Sequence, residues 1–149
     1  MVKTTLGSHG PYFAEYHIVW CTKYRRKILN PGLSVYVRKI LPQIAREMVG
    51  VEIVEIGLDS TLRDHVHLVV KIPPKYSASN VVANFKARSD SSIRIKFSWV
   101  KKVYWKESVV WSRGFFLSTV GVNETVIKNY VKSQGKMDSE QVQLSLIDK

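Results

Sequence analysis

Two histidines separated by one residue, His65 and His67, stand in a stretch whose composition is that of a β-strand. Successive strand side chains point to opposite faces, so both imidazoles share one face while Val66, Leu68, Val70 and Ile72 share the other. Two strand steps separate their Cα atoms by roughly 6.6 Å, close enough for both rings to reach one metal ion at about 2.1 Å each. Much later in the chain Tyr130 and Gln134 lie four apart in a helical stretch and so share a helix face. One segment offers a metal site; the other offers a phenol and an amide. Asp64, beside the pair, and Asp59, in the turn before it, are candidates to accept a hydrogen bond from an imidazole and fix its orientation.

Each of these residues also has an ordinary reading. A His-x-His on a strand arises by chance, and Asp64 reads equally well as a solvated carboxylate at a strand end. Tyr130 falls with Val126, Ile127 and Val131 in a pattern that would place it on an apolar helix face. Gln134 extends that stripe with a polar amide, which either ends the buried face or meets a site.

Lys and Arg number 23 against 12 Asp and Glu, a net charge of +11. That surplus favours a polyanionic partner, nucleic acid before an anionic membrane surface. The cations are grouped. Lys23, Arg25, Arg26 and Lys27 form one turn, and Lys86, Arg88, Arg94, Lys96, Lys101, Lys102, Lys106 and Arg113 follow later, with Trp99, Tyr104, Trp105 and Trp111 among them. Aromatic rings mixed with cations suit single-stranded nucleic acid, where bases stack and phosphates pair; at least two of the tryptophans are expected in the core.

With 149 residues and a 45% hydrophobic fraction, one folded domain over 1–149 is expected, with a tail from about residue 137. Cys21 is the single cysteine, which excludes an internal disulfide framework, a multi-cysteine zinc finger and the zinc-deaminase signature. It fits a reducing, cytoplasmic setting. Residues 1–11 hold no apolar signal core, and no apolar run reaches the length of a membrane span. There is no glycine-rich phosphate loop and no Ser-His-Asp arrangement.

The elements that must position these groups can be read from period and punctuation. Tyr12 to Thr22 is a strand apolar on both faces, hence central in its sheet. Leu33 to Val49 carries a helical stripe that Pro42 is expected to kink and Gly50 to end. Val51 to Leu58 and Asp64 to Ile72 are strands. Ser77 to Phe97 is a helix with a polar centre, Ala87 to Ser92, where a break is expected. Phe115 to Val122 is a fourth strand. Asn123 caps a last helix that Gly135 is expected to stop. The order predicts an α+β fold: a ferredoxin-like (RRM-like) βαββαβ sandwich with an added C-terminal helix carrying the tyrosine. Its helices cover one sheet face and leave the other for nucleic acid.

Taken in order, these motifs resemble the single-tyrosine HUH transposases of the insertion-sequence-200 type. The match runs from about Tyr16 to Gln134, through His17-Ile18-Val19-Trp20, Thr22-Lys23-Tyr24-Arg25-Arg26, Asp64-His65-Val66-His67-Leu68, Phe85-Lys86, Trp111-Ser112-Arg113-Gly114-Phe115-Phe116, Ser118-Thr119-Val120-Gly121 and Tyr130-Val131-Lys132-Ser133-Gln134. One departure is Lys86-Ala87, where the family often has Lys-Gly. The resemblance implies Tyr130 as nucleophile and a Mg²⁺ or Mn²⁺ ion held by His65, His67 and Gln134. It implies a homodimer in which the tyrosine helix of one subunit completes the histidine site of the other, and a substrate of single-stranded DNA at element ends, often folded as hairpins. Lys23, Arg25, Arg26, Lys86 and Arg113 are the candidate DNA contacts. Imidazoles alone would favour zinc or a later transition metal, so the identity of the ion rests on the resemblance. A non-catalytic single-strand binder on the same sheet is the rival reading; a relaxase-like nickase is the weaker third, since the chain has no accessory domain.

Overall fold

The computed structural model describes residues 14–119 and 123–147, with side chains described as far as residue 138. Four strands, β1 (Ala14–Cys21), β2 (Glu52–Leu58), β3 (His65–Ile72) and β4 (Phe116–Ser118), form one antiparallel sheet in the order β2-β3-β1-β4. Four helices, α1 (Pro31–Arg46), α2 (Ala78–Lys96), α3 (Ser98–Val103) and α4 (Glu124–Ile147), complete the fold, with one 3₁₀ turn at Lys23–Arg25. The order and pairing are those of the expected α+β sandwich, with α3 and the 3₁₀ turn added.

β1 and β3 are the central strands of the sheet, and each turns one apolar face to the helices. Ile18 pairs with Leu68 and Trp20 with Val66, and all four are fully buried against α1 and α2. Asn30 caps α1 by accepting from the Leu33 backbone N–H at 2.9 Å, and Pro31 occupies the first turn, where its missing donor does no harm. The helix runs through Pro42 without a break. Val37, Leu41 and Ile44 on either side of the proline are buried, and that packing outweighs one lost ladder bond.

The break expected at Ala87 to Ser92 is absent, since α2 is continuous. The polar residues there are buried and satisfied by the segment before β4. Asp90 Oδ2 accepts from the Val110 and Trp111 backbone N–H groups at 2.7 and 3.3 Å, and Ser89 Oγ accepts from Trp111 Nε1 at 2.9 Å. A polar centre marked a helix facing a loop.

The second sheet face is not left open. α4 crosses it, burying Val131 above a surface to which Val19 and Cys21 contribute from β1. Asn123 caps this helix as expected, accepting from Val126 N–H at 2.9 Å. Gly135 does not stop it, and the segment expected to be a tail from about 137 continues the same helix to Ile147. The glycine answers a close approach instead: a Cβ there would lie 2.3 Å from Arg25 Cδ. β4 is shorter than expected; Tyr12 and the 120–122 part of the predicted strands lie outside the described residues. Among the described residues no helix is long and apolar enough to cross a membrane.

Candidate active site

The histidine pair lies on the α4 side of the sheet. His65 stands opposite Cys21 and His67 opposite Val19. Asp64, 1% exposed, fixes the first imidazole: its Oδ1 lies 3.0 Å from His65 Nδ1, and its Oδ2 accepts from Arg25 Nε at 3.2 Å. That contact leaves His65 Nε2 as the nitrogen available for coordination. His67 Nε2 is buried without a hydrogen-bond partner among the described residues. Burial, and then the neighbouring His17 ring at 5.7 Å, lower the His67 pKa and keep its imidazole neutral, the form that ligates a metal. Both rings line a cavity of about 260 Å³ together with Gly57, Asp59, Ile127 and Lys128. Asp59 Oδ1 accepts from Thr61 and Leu62 N–H at 2.7 and 2.8 Å, which holds its carboxyl below the usual range; it shapes the turn that walls this cavity.

A divalent ion fits this pair on its donor chemistry: one imidazole is oriented by a carboxylate, and the other carries a buried, unpartnered nitrogen. Among the described residues no group of three His, Cys, Asp or Glu side chains could hold a metal. A further ligand to such an ion would be of another type or come from elsewhere.

Tyr130 and Gln134 do share a helix face, and that face meets the segment leading into β4. Gln134 Nε2 donates to Ser112 Oγ at 2.7 Å and to the Arg113 carbonyl at 2.9 Å. Its Oε1 lies 3.9 Å from where a Cβ on Gly114 would sit, and Gly114 has φ +81°, a conformation glycine adopts freely. The Tyr130 ring packs 5.9 Å from that of Phe116, and its hydroxyl is buried with no partner among the described residues. Burial, followed by the nearby Cys21 and Asp138, raises the phenol pKa. The described contacts of Tyr130 and Gln134 are thus with Ser112, Arg113 and Phe116, while the same helix reaches the histidine cavity through Ile127 and Lys128.

Asp138, one turn beyond Gln134, was missed by the sequence reading because the helix was expected to end at Gly135. It is 1% exposed, accepts from Tyr24 N–H at 3.0 Å and Ser112 Oγ at 2.8 Å, and lies 3.6 Å from Lys23 Nζ. The signal available was its position four residues after Gln134, on the stripe that begins at Tyr130.

The candidate DNA-binding cations divide into two groups. Lys23 pairs with Asp138 and Arg25 with Asp64, so both brace the turn from inside. Lys86 Nζ donates to the Ser112 and Gly114 carbonyls, each at 2.7 Å, and burial pushes its pKa down to about 8. Arg26 and Arg113 are exposed. Of the aromatics, Trp20 and Trp111 are core, Trp99 is half-buried, and Trp105 is 74% exposed.

Comparison with known proteins gives this arrangement its relatives. The family described as "Transposase IS200 like" matches residues 12–134. The transposases for insertion sequence element IS200 of Salmonella typhimurium (strain LT2) and Salmonella typhi are each 32% identical over 139 residues, 93% of this chain and 88% of theirs. The ISDra2 transposase TnpA of Deinococcus radiodurans is 28% identical over 124 residues, 83% of this chain and 85% of its own. A crystal structure of a Deinococcus radiodurans R1 protein assigned as a transposase superposes with a TM-score of 0.72 at 27% identity, covering 90% of this chain and 98% of that one. Matched along nearly its whole length in sequence and in fold, the chain belongs to the family of IS200-like transposases.

Proposed function

We propose that this transposase cleaves and rejoins single-stranded DNA at element ends through a 5′-phosphotyrosine on Tyr130. The observation that carries the reading is the His65–His67 pair: one ring aimed by Asp64, the other with an orphaned Nε2, both facing a cavity. His65, His67 and the Gln134 amide would hold a divalent ion, Mg²⁺ or Mn²⁺. Such an ion, when bound, offsets the charge that makes a phosphodiester a poor electrophile.

The rest of the chemistry falls to the chain. The Tyr130 oxygen loses its proton and attacks phosphorus; the bond to the 3′ oxygen breaks, and that oxygen takes a proton to become a free 3′-hydroxyl. The phosphotyrosine ester conserves the free energy of the bond it replaced, so attack by a different 3′-hydroxyl joins strands without a nucleotide cofactor. Arg26 and Arg113 would meet phosphates. In a homodimer, α4 of a second copy would supply the phenol and amide that complete each histidine site.

The test is incubation of the protein with single-stranded element ends and Mn²⁺, followed by a denaturing gel. A covalent protein–DNA species is expected from the parent and from neither Tyr130→Phe nor His65→Ala, while single-strand binding persists in Tyr130→Phe. Undiminished adduct from Tyr130→Phe would remove the nucleophile. Retained binding with no metal-dependent cleavage by the parent would make the protein a single-strand binder instead.

A further inference from the structure

A second cavity, of about 490 Å³, lies beside the Lys23–Arg25 turn and shares no lining residue with the histidine cavity. Its walls include Tyr24, Arg26, Tyr104, Trp105, Lys106 and Glu107. That volume is within the range of ordinary ligand sites, about 300–1,000 Å³. Trp105 contributes an indole that is 74% exposed, the only aromatic ring among the exposed large hydrophobic side chains of the described residues. Lys106 Nζ stands 5.0 Å from that ring, and the Arg26 guanidinium stands 5.6 Å from the Tyr24 ring and 6.0 Å from the Tyr104 ring. A single exposed tryptophan means little. One placed in a cavity with two more aromatic rings and two cations is the arrangement that stacks a base and pairs its phosphate.

The turn that presents these groups is strained and firmly held. Tyr24 and Arg25, neither of them glycine, have φ values of +58° and +53°. Lys23 N–H donates to the Val110 carbonyl at 2.8 Å, Tyr104 Oη donates to the Lys23 carbonyl at 2.8 Å, and Tyr24 Oη donates to the Glu107 carboxylate. The left-handed pair of residues sends consecutive side chains to different places. Arg25 turns inward to Asp64, which holds His65, while Tyr24 and Arg26 turn to the cavity. The cavity is thus joined to the histidine site through a single rigid turn.

We infer that this aromatic and basic cavity binds one unpaired nucleotide of the DNA strand, its base stacked on Trp105 and its phosphate met by Arg26 and Lys106. The inference rests on the strand-cleavage reading, since it takes the occupant to be a nucleotide near the cleaved bond. It gives the site a means of holding single strands that does not depend on base pairing, and it restricts that hold to unpaired bases, because a paired and stacked base presents no free face.

The probe is an end-labelled oligothymidylate of roughly ten nucleotides, within the span such proteins cover, followed by fluorescence anisotropy. The protein carries Tyr130→Phe and no metal is added, so cleavage does not intervene. Trp105→Ala is expected to weaken binding roughly 5- to 100-fold, Trp105→Phe to restore most of it, and neither to change binding to a duplex of the same length. Arg26→Gln is expected to weaken binding and to reduce the salt dependence by about one phosphate contact. Trp105→Ala and Arg26→Gln proteins that bind the oligonucleotide as tightly as the parent would remove the cavity from the strand's path while leaving the cleavage reading intact. A parent protein that binds no single strand at low salt would sink the cleavage reading, and the nucleotide site with it.

Discussion

Tyr130 is a costly residue for the stability of the chain. Its hydroxyl is out of solvent and has no hydrogen-bond partner among the described residues, and its pKa is raised chiefly by burial. A phenol in that state is held in its protonated form and is a poor nucleophile. The same desolvation costs about 1–3 kcal/mol for a polar group left unsatisfied. Tyr130→Phe, which removes the oxygen and keeps the ring against Phe116, should therefore stabilise the protein by about 1 kcal/mol, or roughly 2–4 °C in melting temperature. Thermal unfolding followed by circular dichroism measures this; an unchanged or lower melting temperature would mean that the hydroxyl is hydrogen-bonded in solution. A gain in stability from the substitution that removes the proposed nucleophile is what a residue kept for chemistry rather than packing would give. Asp64 presents the opposite case. Its two contacts, to His65 and Arg25, satisfy a carboxylate that is almost wholly buried, so orientation of the ring and stability of the fold are served by the same atoms.

At the scale of elements, α4 decides whether the histidines and the tyrosine meet. Asp138 anchors it to Tyr24 N–H, Ser112 and Lys23, Gln134 anchors it to Ser112 and Arg113, and Gly135 lets it lie against Arg25. If the helix serves a second copy, two crippled proteins should complement each other. Tyr130→Phe and His67→Ala, each inactive alone, should together form the covalent DNA adduct when mixed under conditions of subunit exchange, and only the His67→Ala chain, which keeps its tyrosine, should become labelled. No adduct after verified exchange would place the site within one chain. The strands, the cap at Asn123 and the shared histidine face were legible in the sequence because alternation and capping are local rules. The continuity of α2 and α4 was not. Ser89 and Asp90 read as helix-weakening until the Val110–Trp111 backbone that they satisfy is known, and Gly135 reads as a stop until the Arg25 side chain that needs its space is known. Both are decided by residues distant in sequence, as are the inward pairing of Lys23, Arg25 and Lys86 and the role of Asp138.

For the whole molecule, the surplus of cations and the buried ionisable groups act in different directions. A net charge of +11 is spread over a small domain, and exposed Lys101, Lys102, Lys106, Arg26 and Arg113 face water or a polyanion. Raising the pH relieves that repulsion, so on surface charge alone stability should climb. The interior argues otherwise. Burial pushes the Cys21 thiol from 9.0 to about 12, and it raises Tyr104 and Tyr130 from 10.0. For a group whose pKa is raised on folding, its stabilising share is complete below the unfolded value and is lost as pH climbs towards the folded one. Lys86 opposes this: lowered from 10.5 to about 8, it favours the folded state increasingly between those values. One amine and the surface relief stand against Cys21, Tyr104 and Tyr130, joined by Tyr24, which burial and the Glu107 hydrogen bond raise from 10.0 to about 12; a buried acid that ionises only after unfolding is worth about 1.4 kcal/mol per pH unit beyond its unfolded pKa. The melting temperature should hold or rise slightly from pH 8 to 9, then fall steeply between pH 10 and 11. Cys21→Ala, which removes the group with the lowest unfolded pKa, should make the fall above pH 10 shallower even if the small cavity it leaves lowers the plateau. Melting curves across that range decide the matter: a temperature still rising at pH 11 would mean that relief of surface charge dominates and that these thiol and phenol groups are wetter than the structure has them.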